Sequence, residues 1–153
     1  DIRIVETTEK YVREHIDDWK TKPDLIAASE RYQLYANTYV AIVASGTVSA
    51  ELAIMHIPTL VVYKMNPLTV FLARMILRVK WASLVNILMN KTVFPELLGR
   101  DANAPAITDS FHQLTLPHVR KEILKDLTLA DKKWNPYSQK PAAVIAKDIL
   151  SSI

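Results

Sequence analysis

Ser45-Gly46-Thr47 stands between a continuous apolar run, Val40-Ala41-Ile42-Val43-Ala44, and an amphipathic stretch from Val48 to Met55. At such a strand-to-helix junction, backbone N–H groups, two hydroxyls and the positive end of a helix dipole make an anion site suited to a phosphate. The same residues also serve as an ordinary turn with a hydroxyl cap. Glu51 lies about one helical turn further on. A carboxylate there can accept two hydrogen bonds from a ribose diol, or simply sit favourably near a helix start. Asn86 and Asn90 follow a second apolar stretch and precede Pro95-Glu96. Their amides suit phosphate or sugar hydroxyls, and they suit turn formation equally.

A fourth group lies between Asn66 and Lys80. At helical spacing Leu68, Phe71, Leu72, Met75, Ile76 and Val79 form a core face. The opposite stripe is Val70, Ala73 and Leu77, bordered by Arg74, Arg78 and Lys80. An apolar stripe edged by cations fits the surface of an anionic membrane, and fits a partner domain or subunit as well.

Other chemistries are excluded. Without cysteine there is no disulfide framework, thiolate metal site or thiol nucleophile. His56, His112 and His118 lack metal-ligand spacing, since Pro117 interrupts the last two, and neither a metal nor a cofactor is expected. No P-loop, G-x-G-x-x-G or G-x-S-x-G occurs. The net charge of +3 suits an anionic substrate or membrane, but no aromatic-interleaved basic run points to nucleic acid.

The elements that must position these residues alternate between strand and helix. Ile2–Val5 is a predicted strand and Thr8–Trp19 a helix. Asp24–Ala28 is a weak strand, followed by a short helix around Glu30–Asn37. Val40–Ala44 reads as a strand buried on both faces. Thr59–Tyr63 is another, entered at Pro58. Asn66-Pro67 starts a helix reaching about Arg78, and Trp81–Leu84 is a short strand. From Ala104 the chain is helical in three pieces, broken at Pro117 and around Pro136 and Pro141. This order implies an α/β fold, a Rossmann-like parallel sheet with helices on both faces and ligands at the carboxyl ends of the strands. With only two glycines in 153 residues, Gly46 and Gly99 are expected where φ is positive or a ligand approaches.

The length suits one domain over residues 1–153, with its C-terminal helices over about 104–153. The first twenty residues are charged throughout and no apolar run is long enough to span a bilayer, which reads as cytosolic. A doubly wound domain usually has more strands before its binding loop, so the front end reads as truncated.

Three strings carry a family resemblance. Ala41 to Leu52, AIVASGTVSAEL, resembles the "ALVASGTATLE" of the lipid-A-disaccharide synthases. Pro58 to Pro67, PTLVVYKMNP, resembles their "PMVVxYRMxP", and Trp81 to Leu98 resembles their "YVSLPNLLAGRxLVPELL". NPYSQKPAAVIAKDIL near the end is similar to the family's last helix. The match runs along the chain from about Ile2, with the motifs in order.

The resemblance implies the C-terminal, nucleotide-sugar-binding half of a GT-B glycosyltransferase with two Rossmann-like domains. It implies UDP-2,3-diacylglucosamine as donor and 2,3-diacylglucosamine 1-phosphate as acceptor. A single inverting displacement then yields the β-1′,6-linked disaccharide and UDP, without a required metal. Carried over, Ser45, Gly46 and Thr47 hold the nucleotide or its phosphates, and Glu51 the ribose. Lys64 stands at the family's arginine, and Asn86 at its donor-site asparagine. Asn86 is thereby the candidate catalytic residue within this chain. Acylated substrates imply peripheral attachment to the cytoplasmic face of a Gram-negative inner membrane, with Val70, Arg74, Leu77, Arg78 and Lys80 as contacts. A homodimer is also compatible.

Val85 replaces the family's proline, and Asn90-Lys91 its Gly-Arg. The family's N-terminal domain with its catalytic aspartate, and its "PGSR" loop, do not occur in these 153 residues, which are expected to be inactive alone. The alternatives are another UDP-sugar enzyme of this fold, such as an epimerase, and a non-catalytic α/β interaction domain.

Overall fold

The computed structural model of the chain describes residues 2–5, 19–44, 46–64 and 80–134. The chain divides into two units, Asp1–Tyr39 and Val40–Ile153. In the first, β1 (Arg3–Val5) and β2 (Asp24–Ile26) pair in parallel, with Arg3 opposite Asp24 and Val5 opposite Ile26. The Arg3 guanidinium lies 3.8 Å from the Asp24 carboxylate, an exposed pair that contributes little. A 3-10 turn (Ala28–Glu30) leads into α1 (Arg31–Ala36), where Tyr32 and Tyr35 meet edge to face at 5.9 Å. The helix expected over Thr8–Trp19 lies outside the described residues except for Trp19, which is exposed.

The second unit is built on a three-stranded parallel sheet. Its strands are β3 (Ala41–Val43), β4 (Thr59–Tyr63) and β5 (Glu96–Leu98), with β4 in the centre. The β-branched and aromatic run Thr59-Leu60-Val61-Val62-Tyr63 suits that position. Thr59, Leu60 and Val61 are each fully buried. Because successive strand side chains point to opposite faces, both faces of the sheet are covered there.

Among the described residues, four helices flank this sheet: α2 (Thr47–Ile54), α3 (Leu84–Met89), α4 (Ala104–Thr115) and α5 (Pro117–Trp134). Asn103 starts α4 by accepting from the Ala106 N–H at 3.1 Å, and Pro105 sits within its first turn. Pro117 separates α4 from α5, as its missing N–H requires. On α5, Ile123, Leu127 and Ala130 fall on one stripe and are buried. They join Leu60, Val61, Val85, Val93, Phe94 and Leu114 in a single core. At its edges α5 is tied down by Lys91 Nζ–Asp126 Oδ2 (2.7 Å) and His56 Nε2–Asp131 Oδ2 (2.6 Å).

The chain is thus α/β, with parallel sheets flanked by helices in a Rossmann-like arrangement. Several expectations need correction. Trp81–Leu84 is not a strand: Leu84 already opens α3, and the strand lies at Glu96–Leu98. The apolar run around α3 is too short to reveal its period, and Ser83, extended at the N-cap position, turns its hydroxyl to Glu96 and caps no helix N–H. Nor is β3 buried on both faces, since Ile42 is 48% exposed on this outer strand of the sheet. The helix expected from Asn66 to Arg78 lies outside the described residues, as does everything beyond Trp134.

Candidate functional site

Parallel pairing decides which loops share an edge. Val43 of β3 is opposite Val61 of β4, and Val61 is opposite Glu96 of β5. All three strands therefore run the same way, and the residues after them emerge on one edge. That edge carries Gly46-Thr47 after β3, Lys64 after β4 and Gly99 after β5.

Gly46 is the N-cap of α2, at φ 153° and ψ −164°. Positive φ explains why one of only two glycines stands here, and Gly99 is the other, at φ 63°. A Cβ built on Gly46 would meet nothing within 4 Å, so the constraint is backbone conformation and not crowding. The Gly46 carbonyl accepts from the buried Ser49 hydroxyl at 2.7 Å and from its N–H at 3.2 Å. Thr47 and Val48 are exposed, and the first turn of α2 has no acidic residue and no side-chain cap. The positive end of this helix thus faces outward on the sheet's carboxyl edge. Glu51 is half-buried one turn along α2, and Lys64 is exposed at the end of β4. Ser45 lies outside the described residues, as do Val70, Arg74, Leu77 and Arg78; Lys80 is exposed.

Asn86 sits differently. It is in the first turn of α3 and fully buried. Its Nδ2 donates to the Phe94 carbonyl and to Glu96 Oε1, both at 2.7 Å. Its Oδ1 accepts from the Val93 and Phe94 N–H groups, both at 2.8 Å. These four bonds use both amide hydrogens and both carbonyl lone pairs. In this arrangement the Asn86 side chain has no hydrogen-bonding group left for a ligand. Asn90, the other amide considered, is the left-handed C-cap of α3 at φ 52°, so it takes the turn-forming alternative.

Sequence reasoning assigned no role to Glu96, yet its carboxylate is the hub of this loop. Its Oε2 accepts from the Ala82 N–H at 2.8 Å. Its Oε1 accepts from the Ser83 N–H (2.9 Å), the Ser83 hydroxyl (2.8 Å) and Asn86 Nδ2. These partners lie 10 to 14 residues away, a separation with no spacing signature. A Ser-x-x-Asn pair followed by Pro-Glu was the one available hint.

No group of three or more metal-ligating residues occurs among the described residues. A cleft of about 370 Å³ between the 91–95 loop and the α4–α5 pair is lined by Lys91, Gln113, Glu122 and Asp126. None of the candidate residues lines it. No described helix is long and apolar enough to cross a membrane.

A parallel α/β sheet with an outward-facing helix start after its first strand defines the class as a Rossmann-like fold. Residues 2–147 match the lipid-A-disaccharide synthetase family model, and the chain belongs to that family. It is 33% identical over 140 residues to the lipid-A-disaccharide synthase of Colwellia psychrerythraea, covering 85% of this chain and 34% of that protein. Over 121 residues it is 36% identical to that of Syntrophus aciditrophicus (78% and 32%). Over 144 residues it is 28% identical to that of Rhodospirillum centenum (93% and 36%). The chain spans about a third of the length of these relatives. This membership replaces the epimerase and interaction-domain alternatives.

Proposed function

We propose that this chain forms the donor-binding part of a lipid-A-disaccharide synthase. Its ligand is UDP-2,3-diacylglucosamine, whose sugar passes to 2,3-diacylglucosamine 1-phosphate with release of UDP. The observation that carries this is the shared carboxyl edge. Gly46-Thr47 at an acid-free helix start, Glu51 one turn along and Lys64 just past the adjacent strand are grouped where such folds take nucleotides. The diphosphate lies over the Ser45-Gly46-Thr47 turn, with Lys64 beside it as a cation and the ribose diol on Glu51. Backbone N–H groups and the helix dipole stabilise the leaving diphosphate in an inverting displacement. Asn86 contributes by bracing the loop between α3 and β5, because its own hydrogen bonds are spent within the protein.

The chain matches about a third of each relative, so the acceptor side and the base belong to the remainder of a protein of that length. These 153 residues then bind donor without turnover. In the full-length enzyme, Val70 and Leu77 with Arg74, Arg78 and Lys80 meet the cytoplasmic face of the inner membrane of a Gram-negative bacterium. Each such cation adds about 1 kcal/mol near an anionic leaflet, which gives salt-sensitive, reversible attachment. Equal, salt-indifferent sedimentation of parent and Arg74→Glu/Arg78→Glu with anionic vesicles would remove the membrane role.

Calorimetry of UDP binding tests the donor reading. Glu51→Ala should lose about 1.5–3 kcal/mol, a ten- to hundredfold weaker affinity, if the carboxylate holds the ribose. A folded variant with the parent's UDP affinity would sink the assignment.

A further inference from the structure

We infer that Glu96 is a positioning residue of the donor site, an internal carboxylate that fills the amino end of α3 and pins the segment entering it. The inference rests on the donor-site reading and gives a role to a residue that the motif contains without one. Glu96 belongs to β5, the strand beside β4, and pairs in register with Val61. α3 packs against α2, the helix that opens at Gly46-Thr47 and carries Glu51. Ala82-Ser83 lead into α3, and both of those N–H groups are bonded to Glu96.

The carboxylate engages four donors with its two oxygens, and one of them is the Asn86 amide that holds Val93 and Phe94. A negative group is favoured at a helix start, where backbone N–H groups have no partner within the helix. The neighbouring segment is fastened too: Trp81 Nε1 donates to Thr92 Oγ1 at 3.1 Å, and Lys80 Nζ lies 5.0 Å from the centre of the Trp81 ring. One side chain thus joins β5, the start of α3 and the two residues that lead into it.

Glutamine cannot substitute. With its oxygen kept on the three donors at Oε1, its NH₂ meets the Ala82 N–H; flipped, it meets the Ser83 N–H and the Asn86 amide hydrogen, and only the Ser83 hydroxyl can turn to accept. Glu96→Gln and Glu96→Ala should therefore both weaken UDP binding by about tenfold, the scale of losing charge-assisted hydrogen bonds. Free acetate should restore the affinity of Glu96→Ala, whose missing carboxylate leaves room, and not that of Glu96→Gln. Asp126→Asn, which cuts the Lys91 tie on α5, serves as the control and should keep the parent affinity.

Calorimetry with UDP, with and without acetate, decides. Parent affinity in both Glu96 variants, loss that acetate does not repair in Glu96→Ala, or equal loss in Asp126→Asn would each overturn the inference alone. A parent chain that binds no UDP would instead overturn the donor-site reading and this inference with it.

Discussion

Two helices start in the same α/β unit, and their first turns are finished in opposite ways. At α2 the chain turns through Gly46, leaves Thr47 and Val48 exposed and places no acid in the first turn. At α3 the chain brings Glu96 from a strand more than ten residues away and sets its carboxylate against Ala82, Ser83 and Asn86. Both ends carry the same partial positive charge. One is answered by the protein's own anion, and the other is available to a ligand's. A helix start in such a fold is therefore a candidate site only after asking whether the chain already fills it.

The comparison breaks most visibly at the closed end. Asn86→Ala would strip the partner from two buried N–H groups, a buried carbonyl and Glu96. Each buried group left unsatisfied costs about 1–3 kcal/mol, so a loss of about 3 kcal/mol or more is expected by urea unfolding. An equally stable variant would show that this network is not what holds the loop.

At the open end the effects should fall on stability more lightly. Gly46→Ala keeps the space around its Cβ but must bear a φ of 153°, which should cost about 1–3 kcal/mol. UDP affinity should drop with it, because the turn itself is proposed to hold the diphosphate. A thermal scan and a UDP titration on the same sample separate the two effects, and a variant unchanged in both would mean that the turn relaxes freely.

The smallest change belongs to neither end. Lys91→Met removes an ion pair to Asp126 whose lysine is half-exposed, so the expected loss is about 0.2–1 kcal/mol, and smaller in high salt. A loss several times larger would mark that tie as part of the core.

The open end was legible in the sequence and the closed end was not. An apolar run, a glycine and a helix pattern placed Gly46, Thr47 and Glu51 within one residue of their observed elements. Those signals are local, set by backbone conformation and side-chain period over a few residues. Trp81–Leu84 failed because a short apolar stretch has no distinguishing period, and because the Glu96 carboxylate that supports the start of α3 comes from 13 residues beyond Ser83. Asn86 was recognisable by its motif, but its four internal bonds depend on how the 93–96 segment folds back. The exposure of Ile42 likewise depends on which neighbours cover β3, which composition does not encode.

The most direct test is a UDP titration of the chain followed by backbone amide NMR. The signals of Gly46, Thr47 and Val48, and of the turn of α2 that carries Glu51, should shift in proportion to UDP, while those of Ala82, Ser83 and Asn86 hold nearly still. Shifts centred on Ala82 to Asn86, with the Gly46-Thr47 turn unmoved, would contradict the donor-site reading.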